Sequence, residues 1–166
     1  MSMISSAVSP IRSLLVLAGF VLLCLGVSAL GGLATASSVG SWYQGLAKPP
    51  FNPPDWVFAP VWLTLYLMIA VAGWRVWRVA GFAAARGAFV WYAIQLSLNL
   101  TWSLLFFGAR APGAALVELL VLWVAIVANA VAFWRFDRFA ALLLVPYAAW
   151  VGYAGLLNAS IWWLNP

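Results

Sequence analysis

The chain has 166 residues, of which 67% are hydrophobic and 7% charged, with a mean hydropathy of +1.05. An ordinary soluble domain carries about 25% charged residues, so this composition cannot cover a water-exposed surface and excludes a water-soluble globule. The net charge of +5 is therefore no sign of nucleic-acid binding, because the basic residues sit at the ends of apolar segments, where they orient helices in a bilayer.

Five apolar segments, at about 12–36, 57–78, 83–107, 112–134 and 139–163, are each long enough to cross hydrocarbon, which takes about 20 helical residues. They lack the polar alternation of a barrel strand. The sequence thus predicts an all-α membrane protein, a five-transmembrane-helix bundle forming one domain over 1–166. In the first segment, Arg12, an apolar run and Ala34-Thr35-Ala36 resemble a secretory signal with its cleavage site. The run is long for a signal core, and Ser28, Gly32 and Ala36 recur every four residues as a helix-packing face does, so the segment is read as a retained first helix. No internal repeat is visible, which argues against an inverted-repeat transporter.

Between the first two segments lies a long Pro-rich loop, Trp42 to Trp56, with Pro49, Pro50, Pro53 and Pro54. Proline fixes φ and removes a backbone donor, so this stretch cannot be helical. Long ordered loops are commonly lids or binding loops, and Trp42, Lys48, Pro49, Pro53 and Pro54 are its candidate lid residues. Arg12, Arg75, Arg78, Arg86, Arg135 and Arg138 fall on one side of the membrane, Lys48 and Arg110 on the other. Six against two places the amino terminus in the cytoplasm and the loop outside, as in a multi-pass protein of a bacterial membrane.

The loop-side halves of three segments carry matching side chains. Phe58, Trp62 and Tyr66 follow at one-turn spacing and share a face. Gln95 and Asn99 are also four apart, and the fifth segment carries Tyr147, Trp150, Ala154, Leu157 and Asn158 along one stripe. Amides in hydrocarbon face the bundle interior, since an unpaired one costs several kcal/mol there. These residues predict an aromatic-walled pocket with a few polar anchors beneath the loop. Interhelical hydrogen bonds and aromatic packing alone would also account for each residue singly.

Conventional chemistry has little to work with. There is no histidine, and the three acids Asp55, Glu118 and Asp137 are widely spaced. No carboxylate pair, metal cluster, nucleophile–base pair or phosphate loop can be assembled, so no metal site and no required cofactor are expected. The single cysteine, Cys24, excludes an intrachain disulfide. Glu118 is expected to pair with Arg110 or to snorkel.

Five blocks occur in order: Trp42-Tyr43 with Lys48-Pro49 and Pro53-Pro54; Trp62 with Leu65-Tyr66; Gln95-Leu96 with Asn99, Trp102 and Phe106-Phe107-Gly108-Ala109-Arg110; Pro146-Tyr147 with Trp150; and Leu157-Asn158. Over about 26–164 the chain resembles the TspO/translocator protein family of tryptophan-rich sensory proteins and peripheral benzodiazepine receptors. The resemblance implies a five-helix bundle, often a homodimer, that binds porphyrins and in many members sterols and benzodiazepine-type or isoquinoline ligands. Trp62 and Trp150 match the family's tryptophans associated with porphyrin binding and photo-oxidative degradation. Phe58, Asn99, Ala154 and Leu157 match pocket-lining positions. The animal carboxyl-terminal cholesterol motif is missing, since Leu157 to Leu164 contains neither tyrosine nor base. The resemblance implies a membrane receptor or sensor for tetrapyrroles in porphyrin homeostasis and stress response. Two alternatives stay open: a light- and oxygen-dependent porphyrin-degrading enzyme, with Trp62 and Trp150 as candidate catalytic residues, and a transporter of porphyrins or lipids. Porphyrin is then ligand or substrate, and the bilayer and a second copy of the chain are the partners.

Overall fold

The computed structural model describes residues 9–166. Helix α1 spans Pro10–Val39. The loop then carries two short 3-10 turns, Tyr43–Gly45 and Asp55–Val57. Next come α2 (Phe58–Ala84), α3 (Arg86–Ser103), which ends in a π-helical turn at Leu104–Gly108, α4 (Pro112–Trp134), α5 (Arg138–Leu143) and α6 (Val145–Leu164). Among the described residues there is no strand, and five helical stretches are long and apolar enough to cross a membrane, the last made of α5 and α6 together. The chain is a multi-pass membrane protein.

Helix ends follow local chemistry. The Ser9 hydroxyl caps α1 by accepting the Arg12 N–H at 3.3 Å, with Pro10 in the first turn, where its missing donor costs nothing. α2 runs past the expected end at 78, but the chain reverses at Gly81, whose φ of 71° suits a residue without Cβ. The fifth span is broken at Leu144, just before Pro146 in the first turn of α6, because proline supplies no N–H to a continuing helix. Asp137 caps α5, accepting from the Ala140 N–H at 3.0 Å and from Arg75 of α2 at 2.7 Å. Burial pushes the Asp137 carboxyl up, but these donors and the Arg75 charge outweigh it and hold the group below its ordinary range.

The helices close a ring in the order α1, α2, α5–α6, α4, α3 and back to α1. Close approach at the arginine-rich end depends on Gly73: a Cβ there would lie 2.7 Å from the Phe20 ring of α1. Tyr92 of α3 donates to the Ile69 carbonyl of α2 at 3.1 Å, and Asn129 of α4 donates to the Ala88 carbonyl of α3 at 3.2 Å. Side chains such as Leu14, Leu22, Leu33, Val117 and Leu156 are exposed, as a lipid-facing perimeter requires. The buried core falls into two parts. The larger fills the middle and the arginine-rich end. A smaller one, of Tyr43, Phe106, Ala115 and Ile161, lies under the loop. The topology carries a direct expectation: reporter fusions at Gly81 and after Pro166 report opposite sides of the membrane, and both on one side would contradict the fold.

Candidate functional site

Between the two core clusters lies a cavity of about 420 Å³, within the range of small-molecule sites. Its wall is aromatic, with Tyr43 from the loop, Phe58 and Trp62 from α2, and Trp102, Phe106 and Phe107 from the end of α3. The π turn at Leu104–Gly108 places Phe106 and Phe107 side by side, ring centroids 4.8 Å apart, with Trp102 stacked on Phe106 at 5.3 Å.

Polar anchors sit in a defined network. The Tyr66 hydroxyl donates to Asn99 Oδ1 at 2.6 Å, and Asn99 Nδ2 donates to the Tyr147 hydroxyl at 2.8 Å. One carboxamide thus joins α2, α3 and α6. Nearer the loop, Trp102 Nε1 donates to Asn158 Oδ1 at 3.1 Å, and Asn158 Nδ2 donates to the Pro112 carbonyl at 2.7 Å. Both amides are 4% exposed or less, and each has both ends engaged, which removes the penalty for placing an amide in hydrocarbon.

Of the residues expected at a ligand site, Phe58, Trp62, Tyr66, Asn99, Ala154, Leu157 and Asn158 line this one cavity. Tyr147 and Trp150 do not line it. Tyr147 is fully buried behind Asn99, with its ring 6.3 Å from Trp62. Trp150 packs edge-on against Phe58 at 5.9 Å and beside Tyr153, and its buried Nε1 has no partner. Gln95 is buried away from the cavity with both amide atoms unpartnered. Glu118 neither pairs with Arg110 nor snorkels, because both its oxygens are buried without a partner.

The loop's proline and lysine residues contribute indirectly. None of Trp42, Lys48, Pro49, Pro53 and Pro54 lines the cavity, whereas their neighbours Tyr43 and Asp55 do. Trp42 packs edge-on against Phe106 at 5.8 Å, and Lys48 Nζ sits 4.5 Å from the centroid of the Tyr43 ring. The loop is tied to α6 at two points. Tyr153 donates to the Phe51 carbonyl at 2.7 Å, and the Asn165 carboxamide takes both the N–H and the carbonyl of Ala47 at 3.0 Å. Gln44 bridges within the loop to Asp55 at 2.9 Å. Burial and the nearby Asp55 charge push the Tyr43 phenol above its ordinary value, against the opposing effect of its hydrogen bond to Asn52.

Sequence reasoning missed the whole α1 wall. Ser28, Gly31, Gly32, Thr35, Ala36 and Val39 line the cavity. The four-residue recurrence of Ser28, Gly32 and Ala36 suggests a packing face, but of the two cavity-lining glycines it is Gly31, off that recurrence, that makes a close approach, since a Cβ would meet Ser103 Oγ at 3.2 Å. Nothing lies within 4 Å of a Cβ on Gly32, so at that position the missing side chain leaves room rather than admitting a neighbouring helix. The spacing of Trp102 and Phe106 at one turn was the available signal for the α3 wall.

A bundle of five spans, with a proline-stiffened loop tied over an aromatic cavity, is the arrangement against which relatives can be weighed. The TspO/MBR family profile matches residues 20–164. The chain belongs to the TspO/MBR family. It is 42% identical over 162 residues to the tryptophan-rich protein TspO of Chlorobaculum tepidum, covering 93% of this chain and 99% of that one. It is 36% identical over 156 residues to protein CrtK of Rhodobacter capsulatus, covering 93% and 95%. With the translocator protein of Bos taurus it shares 41% identity over 147 residues, covering 87% and 86%. The matched span takes in the first membrane helix from Phe20 onward, the other four membrane helices and the complete cavity wall of this family member.

Proposed function

We propose that this protein is a membrane receptor or sensor that binds a tetrapyrrole in the cavity under the loop, serving porphyrin homeostasis and stress response. The observation that carries the reading is the wall itself: seven aromatic side chains and two fully engaged amides line a cavity of about 420 Å³ at the loop end of the bundle. A porphyrin offers a broad π face, and Trp62 offers an indole to stack on it. Other flat apolar ligands of similar size, including sterols and benzodiazepine-type molecules, fall within the same reading, as does assembly into a homodimer. A light-driven, porphyrin-degrading activity is the second reading. It is favoured by the placing of Trp62 on the cavity with Tyr66 and Tyr147 rings 5.8 and 6.3 Å behind it. Transport of porphyrin or lipid is tested separately by flux into sealed vesicles.

The test is an absorbance and tryptophan-fluorescence titration of the purified protein with metal-free protoporphyrin. Saturable binding of micromolar order, about −8 kcal/mol, with quenching, is expected. Haem is expected to bind no tighter than the free ring, because no histidine is available as an axial ligand. An absence of saturable binding would end the proposal.

A further inference from the structure

The cavity mouth carries a carboxylate that the proposed function leaves unexplained. Asp55 is exposed, lines the cavity, and opens the 3-10 turn that leads into α2. Its one hydrogen-bond partner is the neutral Gln44 amide at 2.9 Å. The loop's cation, Lys48, is not paired with it and lies over the Tyr43 ring instead. Among the described residues the one ion pair is Arg75–Asp137, at the opposite end of the bundle. The cavity lining therefore carries one carboxylate without a cationic partner, while Lys48 lies over the Tyr43 ring and does not itself line the cavity. Beneath the mouth the wall is apolar, and in such surroundings charges act over longer distances than in water.

We infer that Asp55 is a specificity-determining residue. It disfavours ligands that present a carboxylate to it and favours an edge carrying N–H donors or a positive charge. This rests on the cavity being the ligand site. A dicarboxylate macrocycle would accordingly bind in one orientation, its acids turned away from Asp55. An amphipathic ligand with an apolar body and a cationic or amide edge would be the better match for the unmodified mouth.

The experiment uses three probes with one macrocycle: protoporphyrin (two carboxylates), its dimethyl ester (neutral) and its bis(2-aminoethyl)amide (two ammonium groups). Each is titrated into wild type, Asp55→Asn and Lys48→Met in a neutral detergent at low salt. Asparagine keeps an oxygen for Gln44, so the tie within the loop survives the change. Asp55→Asn should tighten the diacid about three- to tenfold, weaken the diammonium probe by a similar factor and leave the ester within about twofold. Lys48→Met should shift the two charged probes in the opposite senses. All of these shifts should collapse toward unity at 1 M salt, where the Debye length is about 3 Å. Equal shifts for all three probes, or no tightening of the diacid, would overturn the inference and leave Asp55 a purely structural residue. If no probe binds wild type saturably, the ligand-site reading itself falls, and that result is distinct from uniform binding without charge dependence.

Discussion

Replacing Asn99 with alanine should destabilise the bundle by about 2–4 kcal/mol, the largest stability effect expected of any single cavity residue. The Asn99 carboxamide accepts from Tyr66 at 2.6 Å and donates to Tyr147 at 2.8 Å. Both phenols are buried, Tyr147 completely, so truncation leaves two buried hydroxyls without their side-chain partner. A buried unsatisfied polar group costs about 1–3 kcal/mol, and the lost side chain leaves a void besides. The check is the unfolding midpoint in detergent, followed by tryptophan fluorescence. Adding Tyr66→Phe and Tyr147→Phe to the variant should recover part of the loss, because the orphaned hydroxyls are then gone. A midpoint for Asn99→Ala equal to that of Ser97→Ala, an exposed position two residues away on the other face of α3, would show that the network contributes nothing.

The second large effect is on binding. Trp62→Ala should weaken protoporphyrin binding about ten- to a hundredfold, since stacking of a flat ring on an aromatic side chain is worth about 1–3 kcal/mol. Trp150→Phe should change affinity less than about threefold, because Trp150 reaches the cavity only through Phe58. It should also leave stability nearly unchanged, since the indole N–H it removes is already buried without a partner. If illuminated wild type consumes porphyrin, Trp62→Phe should lose that activity while still binding weakly. Trp123→Phe, on the outer face of α4 with its N–H on the Ala148 carbonyl, should keep both properties. Equal losses in the Trp62 and Trp123 variants would remove any special role for Trp62.

Much of this was legible in the residues. Composition and segment length required five spans, because lipid leaves helices as the only alternative to a barrel. The one-turn spacing of Phe58, Trp62 and Tyr66 put one face of α2 on the cavity, and Asn99 and Asn158 had to point inward because amides cannot face lipid. Three things were not legible. Small residues at four-residue spacing look alike whether they admit a helix or leave a hollow, so the α1 wall read as packing. The π turn at Leu104–Gly108 has no strong sequence signal, yet it aims Phe106 and Phe107. Stripe arguments also cannot rank depth within a bundle: Tyr147 and Trp150 share a stripe and one helix, α6, with Ala154 and Leu157, yet Asn99 stands between Tyr147 and the cavity and Phe58 packs against Trp150. For Glu118 the expectation of a partner failed because Arg110, at a φ of 52° in the turn before α4, is exposed rather than directed back at the helix.

The central claim is that the cavity is where the ligand binds, and filling it is the most direct test. Gly32 and Ala36 both line it one turn apart on α1, and a side chain on Gly32 meets open space. Protoporphyrin should be titrated against the double variant Gly32→Phe with Ala36→Phe. Gly26→Phe with Ala29→Phe serves as the control, being exposed on the same helix but off the cavity. At least a tenfold loss of affinity for the first and none for the second is the predicted result; wild-type affinity in both would place the binding site elsewhere.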